Sequence, residues 1–96
     1  MTIRDQVLSK RDEILRIANR YGASNVRMFG SIVRDEATES SDIDLLIDSN
    51  PDWSLLDFIG LKQDLEDLLG RRVDLTIEDG LNRRIKARVL REAVPL

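Results

Sequence analysis

Four residues of this chain have types and spacing suited to phosphate chemistry. Gly30 and Ser31 stand together, and Asp42 and Asp44 follow ten residues later, in the stretch FGSIVRDEATESSDIDLLI. A glycine at the end of a strand lets backbone N–H groups approach an anion closely. A helix opening there adds unpaired donors and a partial positive charge. Ser31 can offer its hydroxyl to the same phosphate, although an ordinary strand-to-helix turn with Ser31 as N-cap has the same sequence. Asp42 and Asp44 lie two apart on a predicted strand, so their side chains share a face. Two carboxylates about 4 Å apart repel by on the order of 4 kcal/mol at an effective dielectric of 20. A divalent cation turns that repulsion into a ligand set; otherwise the pair is simply the wet side of an edge strand. Asp74 has the opposite parity to Val73, Leu75 and Ile77. If its strand neighbours that of Asp42 and Asp44, it reaches the same face, and three carboxylates converge; a solvated strand residue is the other reading.

Composition narrows the chemistry. The chain has 96 residues, with no cysteine and no histidine. Thiolate metal sites, disulfides and imidazole bases are therefore excluded, and acid–base or metal work falls to carboxylates. Carboxylates favour hard cations such as magnesium or manganese. The net charge of −3 is unevenly spread: +4 over residues 1–34, −11 over 35–79 and +4 over 80–96. An acidic middle argues against broad nucleic-acid binding, which needs a continuous basic footprint. No apolar run is long enough to cross a bilayer, and no signal peptide is visible, so a cytoplasmic location is expected. The length predicts a single domain over 1–96.

The elements that must position these residues follow from the apolar spacing. TIRDQVLSKRDEILRIANRYG predicts one long helix, capped by Thr2 with Asp5, and with Val7, Ile14, Ala18 and Tyr21 on one face. NVRMFG predicts a strand, SIVRDEA a short helix begun by Ser31, and SDIDLLID a strand with Ile43, Leu45 and Ile47 inward. PDWSLLDFIGLKQDLEDLLG predicts a second long helix. Ser54 and Asp57 form its capping box, Trp53 staples onto Phe58, and Gly70 stops it. Its expected apolar stripe is Leu55, Phe58, Ile59, Lys62, Leu65, Leu68 and Leu69. RRVDLTI predicts a third strand. LNRRIKARVLREAV predicts a last helix with Leu81, Ile85 and Val89 on one side and Arg84, Arg88 and Arg91 on another. The expected fold is α/β (α+β), one small sheet covered by helices.

Gly30-Ser31, ten residues, then Asp42-x-Asp44 resembles the signature of the DNA polymerase β-like nucleotidyltransferase superfamily. The short chain and the words GSIVRDEA, SDIDLLI and RRVDLTI resemble its minimal nucleotidyltransferases over essentially the whole length. The resemblance implies a mixed sheet backed by helices. It implies that Gly30 and Ser31 hold the β- and γ-phosphates of ATP, and that Asp42, Asp44 and Asp74 bind two magnesium ions and carry the catalysis. Asp74 would serve the metal that activates the incoming hydroxyl. Arg34 matches an arginine common after the turn, which would meet a phosphate or brace the loop through an acidic neighbour. The family often has glycine where this chain has Asp35, a departure that bears on the local loop shape and not on the aspartates. Small proteins of this kind are commonly the antitoxin half of HEPN–MNT pairs. The implied partner is a HEPN ribonuclease toxin, in a hetero-oligomer, with AMP moved from ATP to a toxin tyrosine. A toxin-binding antitoxin without catalysis, and the catalytic subunit of a small-molecule or RNA nucleotidyltransferase, are the alternatives. Neither a membrane nor a direct nucleic-acid partner is expected.

Overall fold

The computed structural model describes residues 2–96. In chain order the elements are α1 (Ile3–Ser9), α2 (Arg11–Arg20), β1 (Ala23–Phe29), a 3-10 turn (Gly30–Ile32), β2 (Ile43–Ser49), α3 (Leu55–Leu69), β3 (Val73–Ile77), a second 3-10 turn (Glu78–Gly80), α4 (Arg83–Glu92) and a short β4 (Val94–Pro95). The strands form one mixed sheet in the order β3-β2-β1-β4. β1 runs antiparallel to β2 and β4, and β2 runs parallel to β3.

One face of the sheet builds the core. Ile43, Leu45 and Ile47 of β2, Val73 and Leu75 of β3 and Met28 of β1 join Val7, Ile14, Ala18, Leu61 and Leu65 from the helices. The strand alternation read from β2 therefore holds. Removing each of these side chains except that of Ala18 from water contributes about 1.5–3 kcal/mol. Leu46 is fully buried yet stands outside this cluster, as does buried Val89 of α4.

The predicted first helix is two. Ser9 Oγ donates to the Gln6 carbonyl at 2.7 Å, and that carbonyl is the one the Lys10 N–H would meet in a continuous helix. The Lys10 N–H turns to the Val7 carbonyl instead, at 3.1 Å, and Lys10 ends α1 and begins α2. Both capping boxes form: Thr2 with Asp5, and Ser54 with Asp57. Trp53 meets Phe58 edge-on, ring centres 6.1 Å apart. Gly70 closes α3 in the left-handed region at φ +65°, where only glycine sits without a side-chain penalty.

Two helical faces differ from expectation. On α3 the buried positions are Leu61 and Leu65, whereas Leu55 and Ile59 are exposed, with Leu56 beside them. On α4 Val89 is buried but Ile85 is exposed. In each helix the apolar residues outnumber those the small sheet can cover, so periodicity alone overstates the stripe. The end of the chain also forms β4, because Val94 pairs with Met28 and the Leu96 N–H donates to the Val26 carbonyl at 2.9 Å.

Candidate active site

A single line of pairing crosses the sheet at the candidate site. Phe29 stands opposite Asp44 on the antiparallel side, and Asp44 stands opposite Asp74 on the parallel side. Paired neighbours point to the same face, so the two carboxylates come together there. It is the face opposite the core. Asp44 is half-buried and Asp74 exposed. The pKa of Asp44 is pushed up to about 6, by burial first, then by the charge of Asp74, a hydrogen bond with Asp74, and the charge of Asp42. All of these causes disfavour a bare second negative charge.

Asp42 lies one residue ahead of β2 on the same parity as Asp44. It is exposed, and its Oδ1 stands 3.7 Å from Arg72 Nε. Among the described residues no three acidic side chains already form a metal-ion cluster. Two meet directly, and the third adds its charge from alongside. The donors are all carboxylate oxygens, and their like charges already crowd Asp44. That fits a hard divalent cation, which needs few protein carboxylates and takes other ligands from water and substrate phosphates.

The turn sits on top of this pair. Gly30 has φ +78° and is buried, and a Cβ placed there would overlap Asp44 Oδ2. Glycine is therefore required twice, for its backbone angle and for close approach to the carboxylate. Ser31 is the next residue, and its hydroxyl makes no hydrogen bond to protein among the described residues. Ser31 does not cap the predicted helix: Phe29 precedes a three-residue 3-10 turn without a side-chain cap. Continuation stops at Asp35, which adopts φ +58°. That left-handed angle is one that glycine adopts most readily and that aspartate tolerates better than most other residues.

Arg34 reaches two acids. Its Nε stands 3.4 Å from Glu36 Oε2, and its Nη1 donates to Glu92 Oε1 at 2.5 Å. Glu92, from the end of α4, also accepts from the Gly30 N–H at 3.1 Å. Sequence reading missed Glu92, although it is the single acid in the basic run 80–96. It also missed Arg27, which is buried opposite Leu46 and pairs with Glu78 at 2.7 Å and Asp48 at 3.0 Å. Arg27 Nε donates to the Asn25 carbonyl at 2.8 Å. This network ties β1 to β2 and to the turn after β3.

A larger groove lies elsewhere. About 790 Å³ in volume, it is lined by Pro51, Trp53, Leu55, Phe58 and Ile77 among others, at the far ends of β2 and β3. It holds none of the candidate carboxylates. A smaller groove of about 540 Å³ borders the site, lined by Ser40, Ser41, Asp42, Arg71 and Arg72 among others.

In sequence and in fold the chain is similar to known proteins. The sequence profile described as the nucleotidyltransferase domain matches residues 11–96. The protein adenylyltransferase MntA of Thermococcus cleftensis is 47% identical over 78 residues, which span 81% of this chain and 79% of that protein. A solved structure provisionally assigned as a minimal nucleotidyltransferase superposes with a TM-score of 0.89 at 46% identity, covering all of this chain and 97% of the other. A chain of a toxin–antitoxin structure with AMP-PNP shares the fold, with a TM-score of 0.74 at 19% identity over 88% of this chain and 69% of that one. With a family profile that matches residues 11–96 and a relative 47% identical over 81% of the sequence, this chain belongs to the nucleotidyltransferase domain family.

Proposed function

We propose that this chain is a metal-dependent adenylyltransferase that moves AMP from ATP to a tyrosine of a partner toxin of the HEPN ribonuclease class, and so acts as its antitoxin. One observation carries the reading: Asp44 pairs with Asp74 across parallel strands, and the Gly30 turn packs directly against Asp44. The name of the Thermococcus relative supports adenylyl transfer. The toxin–antitoxin structure with AMP-PNP supports the fold's use beside a toxin.

In this reading Asp42, Asp44 and Asp74 hold magnesium, which when bound neutralises phosphate charge and activates the attacking oxygen. The Ser31 hydroxyl and the backbone N–H groups that follow Gly30 in the turn orient the β- and γ-phosphates. Arg34 holds the turn from its other side. Exposed Asp74 faces the arriving acceptor and helps take the proton from its hydroxyl. The acceptor oxygen bonds to the α-phosphorus, the bond to the bridging oxygen breaks, and pyrophosphate leaves.

The chain supplies the reacting site but little wall around it, since the flanking groove is small and open. A protein that presents its own tyrosine needs no more. The test combines ATP labelled at the α-phosphate, magnesium and any HEPN-class protein found encoded beside this chain. Label should appear on a partner tyrosine and vanish when that tyrosine becomes phenylalanine. An unlabelled partner, under conditions where a related pair does label, contradicts the proposal.

A further inference from the structure

One side chain ties the glycine turn to the end of the molecule. Glu92 closes α4 and spends both carboxylate oxygens at the turn: Oε2 on the Gly30 N–H at 3.1 Å and Oε1 on Arg34 Nη1 at 2.5 Å. Its side chain is only 17% exposed. Two residues later Val94 pairs with Met28, on the same strand that delivers Gly30. The contacts therefore close a ring from β1 through the turn to Glu92 and back through β4 to β1.

A carboxylate on these donors could compete with a substrate phosphate or hold the turn for it. The geometry favours holding. Displacing Glu92 would break two hydrogen bonds, one of them between ionised partners, and leave a largely buried carboxylate unpaired. The Ser31 hydroxyl meanwhile has no hydrogen-bond partner among the described residues. Nothing else among the described residues fixes the Gly30 N–H.

We infer that Glu92 is a positioning residue for nucleotide binding: it clamps Gly30 and Arg34 so that the Ser31 side of the turn faces the triphosphate. This rests on the adenylyltransferase reading above. The test measures binding of a non-hydrolysable ATP analogue with magnesium, and amide hydrogen exchange at Gly30, in Glu92→Ala and Glu92→Gln. Glu92→Ala should weaken binding about tenfold or more and speed exchange at Gly30. Glu92→Gln still offers an oxygen to the Gly30 N–H, so it should recover part of both. If Glu92→Ala does not fold, Glu92→Gln decides alone: several-fold weaker binding is expected, and unchanged binding overturns the clamp. Tighter nucleotide binding in either variant also overturns it, since Glu92 would then be a competitor. Should the unmutated protein bind no nucleotide, the functional reading fails. The clamp then stands or falls on the Gly30 exchange rate.

Discussion

Asp44 and Asp74 stand side by side across the parallel pairing of β2 and β3, and their proximity helps to push the Asp44 pKa up to about 6. Folding therefore brings together charges that the unfolded chain keeps apart. Under the proposed function, a bound cation with its nucleotide would relieve that conflict.

The cost has a definite pH dependence. The folded pKa of Asp44 lies above its ordinary value of 3.8, so the folded state binds the proton more tightly. The resulting stability is fully present below about pH 4 and is lost as pH rises through about 6. In chelator, Asp44→Asn should remove this loss. It should melt higher than the unmutated protein at pH 8, by about 5 °C. That corresponds to on the order of 1 kcal/mol once solvent screening of a half-exposed group is allowed for. Near pH 4 the two proteins should melt alike. Melting curves in both buffers check this, and equal melting temperatures at pH 8 count against the crowding.

Magnesium with ATP should reverse the penalty. A ligand that binds only the folded state stabilises it, by about 2.7 kcal/mol at a hundredfold excess over its dissociation constant. Thermal melts at pH 8 with and without magnesium–ATP should separate for the unmutated protein. They should coincide for the double variant Asp44→Asn, Asp74→Asn.

Gly30→Ala tests the close approach of turn and carboxylate. The new methyl group meets Asp44 Oδ2 at a backbone angle of +78°. The left-handed angle alone costs about 1–2 kcal/mol, and the overlap adds to it. The variant should lose more than about 2 kcal/mol in a denaturant titration and lose nucleotide binding. At Asp35 the reverse holds: φ +58° predicts that Asp35→Gly is neutral or stabilising within about 1 kcal/mol, while a β-branched residue there destabilises.

Arg27 separates stability from chemistry. Arg27→Met leaves Asp48 and Glu78 without their shared cation. The loss should be about 2 kcal/mol, below the roughly 3–5 kcal/mol of a fully buried pair, because both carboxylates can rehydrate. Denaturant midpoints should fall while nucleotide affinity, measured well below the melting temperature, stays within about twofold.

The carboxylates were legible in the sequence because strand parity is rigid: Asp44 and Asp74 share parities opposite to their buried neighbours, and parallel pairing of their strands puts them on one face. The caps at Thr2 and Ser54 were legible because capping is local. The break at Lys10 was not, since it depends on whether the Ser9 hydroxyl takes the Gln6 carbonyl. Nor was Glu92. Its partners, Gly30 and Arg34, lie 62 and 58 residues away, and only the pairing of β4 with β1 brings them near. Arg27 was hidden for the same reason: its acids come from two other elements.

The most direct measurement of the site itself is manganese titration in the presence of a non-hydrolysable ATP analogue, followed by NMR. The paramagnetic ion broadens signals only from nuclei close to it. Selective broadening of Asp42, Asp44, Asp74 and the Gly30–Ser31 turn is expected, with loss of the effect in Asp44→Asn. Broadening centred on another surface, or unchanged broadening in Asp44→Asn, would contradict the proposed site.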